Sequence, residues 1–357
     1  AAAKKANATA ARSRPMSGDF NATLAFFDPR FQLVQDLGFV FWFSNCTGSN
    51  RSRAWAGDIR IDEVRCGLGA GDKWQLPEAR PRRAKDLGQL RRNLPMNLTF
   101  DRREHDAGYY YQPPQAVPLA APFAASQSFD LTKVDFIVGG SILQALGTGD
   151  FNKKTYTVQR FGNSVLIRRF TSSPDFVDLK SKGLQLKRVV AGKEMDNFGL
   201  NETSVQHMQV LRVGGWTVLF NAEVDAVDRH GRLTEVKTVN LPNWRRILFQ
   251  MMAKGCTTFL HGIVRNMGEK GGKQHVTAID DYELEDIILW STSHSERTHL
   301  ANNIIDALGL IHGRVFNASA GGPSMFHLSE SEFFRSLESE APRGTGAQGP
   351  GTWDARD

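Results

Sequence analysis

Cysteine is nearly absent from this chain. Its 357 residues include only Cys46, Cys66 and Cys256, widely separated and with no Cys-x-x-Cys pair. Neither a disulfide framework nor a zinc ribbon is supported, and a reducing intracellular compartment fits best. Long apolar runs are missing too. None approaches the roughly 18 residues that a membrane helix needs, so no transmembrane segment is read. There is no internal repeat, and several Asn-x-Ser/Thr triplets, such as Asn97-Leu98-Thr99, occur without a secretory signal and read as chance rather than glycosylation. Acidic residues are absent from residues 1–18, AAAKKANATAARSRPMSG, which carry four basic ones. That segment reads as a disordered basic tail, with a transit peptide as the minority reading, and the missing initiator Met reads as a trimmed or incomplete chain.

What is present is ordinary for a globular protein: 41% hydrophobic and 23% charged residues. The net charge of +6 and pI near 9.3 favour a polyanionic partner without identifying one, and a merely soluble basic protein explains them as well. The C-terminal residues 338–357 are dense in Gly and Pro and read as a second disordered tail, which leaves residues 19–337 as a single domain.

Within that domain, FQLVQDLGFVFWFS (31–44) is the first core element. The run from Arg80 to Arg92, with Arg82, Arg83, Lys85 and Arg91, reads as a phosphate-facing patch or, more commonly, a solvated face. Residues 106–122 hold too much proline for regular structure and read as a long loop. Strands are expected at 134–140, 154–161 and 163–170, with a turn at Gly162-Asn163. Residues 175–192, with Phe176, Leu179, Leu186 and Val190 near helical spacing, predict a helix. Further strands follow, with turns at Gly214-Gly215 and Gly231, then a helix over 243–255, a strand TTFLHGIVRN and a late helix over 295–313. Strands flanked by helices make a mixed α+β domain.

The stretch VLFNAEVDAVDRHGRLTEVKTV (218–239) carries the chemistry. With Arg229-His230-Gly231 as the loop, Asp225 lies opposite Glu235 and Glu223 opposite Lys237, all four on one face. Opposed carboxylates repel, so something must compensate. A divalent cation such as Mg²⁺ or Mn²⁺ would, and Lys237 could then polarise water or hold a phosphate oxygen. A solvated face with cross-strand salt bridges is the competing reading.

Beyond the hairpin, the segments resemble the decapping and exoribonuclease (DXO) family, intracellular enzymes acting on incomplete or non-canonical RNA 5′ ends. VDFIVGGSIL resembles the strand leading into that family's first motif, and YTVQRFGNSVLIRRF its next hairpin. FNAEVDAVD matches a Glu-Φ-Asp motif and LTEVKTV a Glu-Φ-Lys motif. FQMMAKGCTTFLHGIVRN resembles the helix and strand carrying a glutamine and a Gly-x-Arg-like element. The resemblance covers roughly residues 130–315 in order. It implies mixed sheets flanked by helices, with Asp225 and Glu235 as metal ligands, Glu223, Lys237 and Gln250 at the reacting phosphate, and Arg265 on substrate. It also implies an Mg²⁺- or Mn²⁺-dependent nuclease acting on NAD-capped, triphosphate or unmethylated-cap RNA with 5′–3′ exoribonuclease activity, a 5′–3′ exoribonuclease as protein partner, and nuclear residence.

Two positions depart from the family pattern. The expected arginine of a Trp-Arg-Gly motif is Gly140, and the expected glutamate of Gly-Φ-x-Φ-Glu is Lys187. A lysine there would weaken metal binding, or its ammonium would sit between Asp225 and Glu235 and relieve their repulsion without metal. In a shifted register, Glu194 or Asp196 would supply the missing oxygen. The sequence therefore leaves open a catalytically weak or dead protein of the same fold that binds RNA or a protein partner, and a DNA nuclease of the broader restriction-enzyme-like group.

Overall fold

The computed structural model describes residues 19–43, 83–98, 109–112, 129–151, 154–170, 175–178, 186–187, 189–190, 203–266, 274–316 and 325–329. The chain enters through helix α1 (Phe20–Phe27) and strand β1 (Phe31–Phe43). Next come α2 (Leu87–Arg92), β2 (Met96–Leu98) and β3 (Tyr109–Gln112), followed by β4 (Phe136–Gly139), α3 (Ile142–Thr148), β5 (Thr155–Phe161), β6 (Ser164–Phe170) and β7 (Asp175–Asp178). The second half runs β8 (Thr203–Val213), β9 (Trp216–Glu223), β10 (Ala226–Val227), β11 (Leu233–Thr238) and α4 (Trp244–Lys254). It ends with β12 (Thr258–Asn266), β13 (Gln274–Glu283), α5 (Leu284–Ser291), α6 (His294–Phe316) and β14 (Met325–Leu328). No helix among the described residues is long and apolar enough to cross a membrane.

The strands form a seven-stranded sheet ordered β1-β8-β9-β4-β6-β5-β14, a five-stranded sheet ordered β10-β11-β12-β13-β2, and the pair β3-β7. The architecture is mixed α+β, as the strand and helix pattern predicts. Gly162, Gly214 and Gly231 all have positive φ at the predicted turns. Two expectations fail. The predicted helix 175–192 begins instead as strand β7, and of its remaining span only residues 186–187 and 189–190 are described, all helical. The proline-rich 106–122 loop contains β3, whose backbone pairs with β7, so ladder hydrogen bonds override the local composition there. Residues 1–18 and 338–357, both read as tails, lie outside the described residues, as do Glu194 and Asp196.

Helix α4 positions the site, and its sequence explains why it forms. The Asn243 side chain accepts the Arg246 backbone N–H at 3.0 Å, capping the first turn, and Gly255 at φ +73° closes the last. Between the caps Ile247, Leu248, Phe249, Met251 and Met252 are buried in the main core beneath the seven-stranded sheet. Burial of each such side chain contributes about 1.5–3 kcal/mol, so the helix is held by packing. It also joins the parallel neighbours β11 and β12 as a crossover. A separate cluster of Leu90, Leu186, Val190, Ala226, Val236, Leu260 and Val276 covers the other face of the five-stranded sheet.

Candidate functional site

The chain leaves one sheet and enters the other between β9 and β10, and Asp225 sits at that step. The pairs Ala226↔Thr234 and Val227↔Leu233 set the hairpin in the register that the sequence predicts. The Asp228 N–H donates to the Arg232 carbonyl at 2.9 Å across the loop Arg229-His230-Gly231. Strand pairing of β10 with β11 extends no further than those two residue pairs, because β9 has already joined the seven-stranded sheet.

Asp225 and Glu235 are both wholly buried at the side chain, and lysines surround them. Lys187 Nζ stands 2.5 Å from Asp225 Oδ1. Asp225 Oδ2 accepts the backbone N–H of Val236 at 2.8 Å. Glu235 has Lys237 Nζ 2.5 Å from Oε1 and Lys254 Nζ 2.5 Å from Oε2. Of the three lysine contacts only that of Lys254 has hydrogen-bond geometry; the other two are charge pairs. Glu223 is half-buried and close enough to act on Lys187 electrostatically. Three carboxylates thus meet three ammonium groups.

The electrostatics follow from burial. Desolvation alone would raise the Asp225 carboxyl, but Lys187, Lys254 and Lys237 reverse this and hold it well below the usual carboxylate range. Desolvation would likewise strip the proton from Lys187 and Lys254. Asp225 and Glu223 outweigh it at Lys187, and Glu235 and Asp225 at Lys254, so both ammonium groups are more firmly protonated than a free lysine. Burial beside Glu235 pushes the Cys256 thiol up, which leaves it neutral and unreactive.

Gln250 lies one turn before Lys254, half-buried, with a buried Oε1 that accepts no hydrogen bond. Arg265 is exposed on β12 opposite His275, and no ion pair joins it to the carboxylates among the described residues. A β-bulge between Ile263 and Val264 shifts the alternation of faces just before it.

Sequence reasoning missed Lys254 and His207. The one signal for Lys254 was its place four residues after Gln250 on the same helix face, which by itself does not mark a buried cation. His207 Nδ1 donates to the Lys254 carbonyl at 2.8 Å, and its Nε2 lies 2.9 Å from Asp36 Oδ1. That contact ties the end of α4 to β8 and β1, and nothing local in the sequence announces it.

Gly140 and Gly262 explain how the lysines arrive. A Cβ on Gly140 would stand 2.8 Å from Ala222 Cβ and 3.6 Å from Ala253 Cβ. Ala222 and Ala253, the neighbours of Glu223 and Lys254, therefore leave no room for a side chain at position 140. A Cβ on Gly262 would stand 2.5 Å from Leu186 Cδ2, so the bare backbone there admits the segment that carries Lys187.

A divalent cation does not fit this arrangement. Each oxygen of Asp225 and Glu235 already faces an ammonium group or a backbone N–H. Adding two positive charges to a balanced buried cluster would leave it strongly cationic, and hard cations are ordinarily held where carboxylates are in excess.

No family model matches the chain, and no curated protein matches it. Among solved structures it is similar to S. pombe Rai1, at 13% identity over 71% of this chain and 82% of that one, with a TM-score of 0.47. It is similar to K. lactis Dxo1 in complex with manganese, at 13% identity over 71% and 80% of the two chains, TM-score 0.46. A third is Candida albicans Rai1 in complex with pU5-Mn²⁺, at 8% identity over 71% and 81%, TM-score 0.47. These are Rai1 and Dxo1 proteins, and the likeness is one of fold. Individual residue roles in this chain rest on its own geometry.

Proposed function

We propose that this chain binds RNA 5′ ends through a DXO-like fold whose hydrolytic centre is closed by lysines, so that it hydrolyses them weakly or not at all. The observation that carries this reading is the ion pair between Lys187 and buried Asp225. Lys187 stands at the position of a family glutamate, and its ammonium supplies the compensating charge that the opposed carboxylates need without metal. The basic balance of the chain and the motif order from residues 130 to 315 support an RNA partner. Nuclear residence and a protein partner belong to the same proposal.

A second reading, the metal-dependent decapping nuclease, takes its support from the motif order and from the buried Gln250 Oε1, which receives no hydrogen bond. The two readings separate in one assay. Purified protein is given 5′-labelled RNA bearing a monophosphate, triphosphate or NAD cap, with Mg²⁺ or Mn²⁺, beside an Asp225→Ala, Glu235→Ala control. Binding without product release supports the closed centre. Metal-dependent release that disappears in the control refutes it and establishes the nuclease.

A further inference from the structure

The last turn of α6 and the tip of the β5–β6 hairpin meet at the end of the seven-stranded sheet remote from the lysines. Strand β9 begins there with Trp216 and ends at Glu223, so the residue steps from 216 to 223, at roughly 3.3 Å each, set the two places about 23 Å apart. Planar side chains stack in series at this far end. The Trp216 and His312 rings lie 4.9 Å apart at 35°, and those of His312 and Phe316 lie 4.5 Å apart at 29°. The Arg160 guanidinium covers the Phe316 ring at 4.7 Å. Beside it on β14, Phe326 pairs with Val158, two residues before Arg160, and its ring carries the Arg314 guanidinium at 4.2 Å.

The inner side of this stack is core packing, with Phe136 edge-on to Trp216 at 5.5 Å. Its outer side is different. Arg160 and Arg314 are exposed, and Phe161, next to Gly162 at the hairpin turn, is 40% exposed. Arg160 Nε donates to the Gly162 carbonyl at 3.2 Å, which orients the guanidinium. Neither arginine has a carboxylate partner among the described residues, and the two acidic residues of α6 act elsewhere, Glu296 on Arg245 and Asp306 on Arg30. A guanidinium laid on a ring keeps its second face and its terminal N–H groups for a ligand. Bases of single strands stack on such planes and on aromatic rings, and the N–H groups reach the flanking phosphates. An apolar partner would leave both charges uncompensated, so the patch fits a polyanion that also carries planar groups.

We propose that Arg160, Phe161, Arg314 and Phe326 form a platform for single-stranded RNA, on which bases stack and whose guanidinium groups take the neighbouring phosphates. The class of ligand rests on the RNA reading above. The place does not, because the platform stands apart from the lysine centre and makes no use of the 5′ end.

The test is fluorescence anisotropy of oligouridine, and of an abasic strand of the same length, across a salt series. It compares the full-length wild type, Phe161→Ser, the double variant Arg160→Gln, Arg314→Gln, and Arg245→Gln, a control whose guanidinium is already paired with Glu296. Phe161→Ser is expected to weaken oligouridine binding about tenfold, the loss of one stacked base, and to leave binding of the abasic strand unchanged. The double variant should flatten the slope of log K against log salt by about 1.4, two single-strand contacts at about 0.7 each, and Arg245→Gln should not alter it. Each loss should be the same for 5′-hydroxyl and 5′-monophosphate probes; a loss confined to the monophosphate would put the contact at the lysine centre and overturn the platform. Equal affinities and slopes for wild type, Phe161→Ser and the double variant would also overturn it, leaving the RNA reading intact and the patch to a protein partner. A wild type that binds no oligouridine would overturn the RNA reading itself, and the platform with it. All the substituted side chains are exposed, and matched thermal unfolding ties the differences to the surface.

Discussion

Replacing Lys187 with Met keeps the length of the side chain and removes only the ammonium. At 2.5 Å from Asp225, the gross attraction at an effective dielectric near 20 is about 7 kcal/mol. Most of it offsets the desolvation of both groups. What the variant exposes is the penalty of a buried carboxylate left short of charge, about 3–5 kcal/mol for a wholly buried pair. Lys187 is 22% exposed at the side chain, Lys254 and Lys237 still act on Asp225, and the Val236 N–H remains. The expected cost is therefore at the low end, about 3 kcal/mol. A double-mutant cycle with Asp225→Asn isolates the pair, because asparagine retains an oxygen for the Val236 N–H. Urea unfolding near neutral pH should give a coupling energy of about 2–3 kcal/mol, in the upper part of the range for contacting residues. A coupling under about 0.5 kcal/mol would refute the claim that Lys187 is the charge that balances Asp225.

The same variant should show a pH signature. The Asp225 pKa is depressed on folding from its ordinary value of 3.8, so its contribution is present above that value and is lost as the pH falls below it. The Lys187 pKa is raised from its ordinary value of 10.5, so its contribution is complete below that value and is lost as the pH rises above it. The stability gap between wild type and Lys187→Met is thus expected to be flat between these limits and to shrink on both flanks; a gap that changes steadily through neutrality would contradict the assignment. Charge reversal gives a further check. Lys187→Glu puts a fourth carboxylate beside two remaining lysines, and Mn²⁺ at about a hundred times its dissociation constant should then stabilise the variant by about 2.7 kcal/mol. Wild type should show no such shift in thermal unfolding, and equal Mn²⁺ responses in the two proteins would show that Lys187 does not exclude the metal.

What the sequence revealed and what it hid divide along physical lines. Glu235, Asp225 and their register were legible because a three-residue loop with glycine at its positive-φ position fixes a hairpin almost by itself. Helix α4 was legible because Asn243, Gly255 and a dense apolar face all agree. The strand β7 was not, since Phe176 and Leu179 fit helical spacing as well as a strand, and the deciding hydrogen bonds come from β3, over sixty residues earlier. Lys254 was hidden for a similar reason. A lysine in the last turn of a helix is usually a solvated cation facing the dipole, and only the return of β11 beneath the helix turns it into the buried partner of Glu235. Arg265 is exposed on β12 just past a bulge that no local pattern marks.

Two glycines leave room for the segments that carry the lysines. A Cβ at position 140 would stand 2.8 Å from Ala222 Cβ and 3.6 Å from Ala253 Cβ, and the residue after Ala253, Lys254, pairs with Glu235. On the other side Gly262 leaves room for Leu186, and the adjoining Lys187 reaches Asp225. Two positive charges therefore stand beside the two buried carboxylates, each on a segment that also packs against a glycine. Reversing one position would then not restore a metal centre in full. A side chain at 140 would meet Ala222 Cβ at 2.8 Å, so with a glutamate at 187 the metal would still share Glu235 with Lys237 and Lys254. This is why metal binding, and not hydrolysis, is the property that Lys187→Glu is expected to gain.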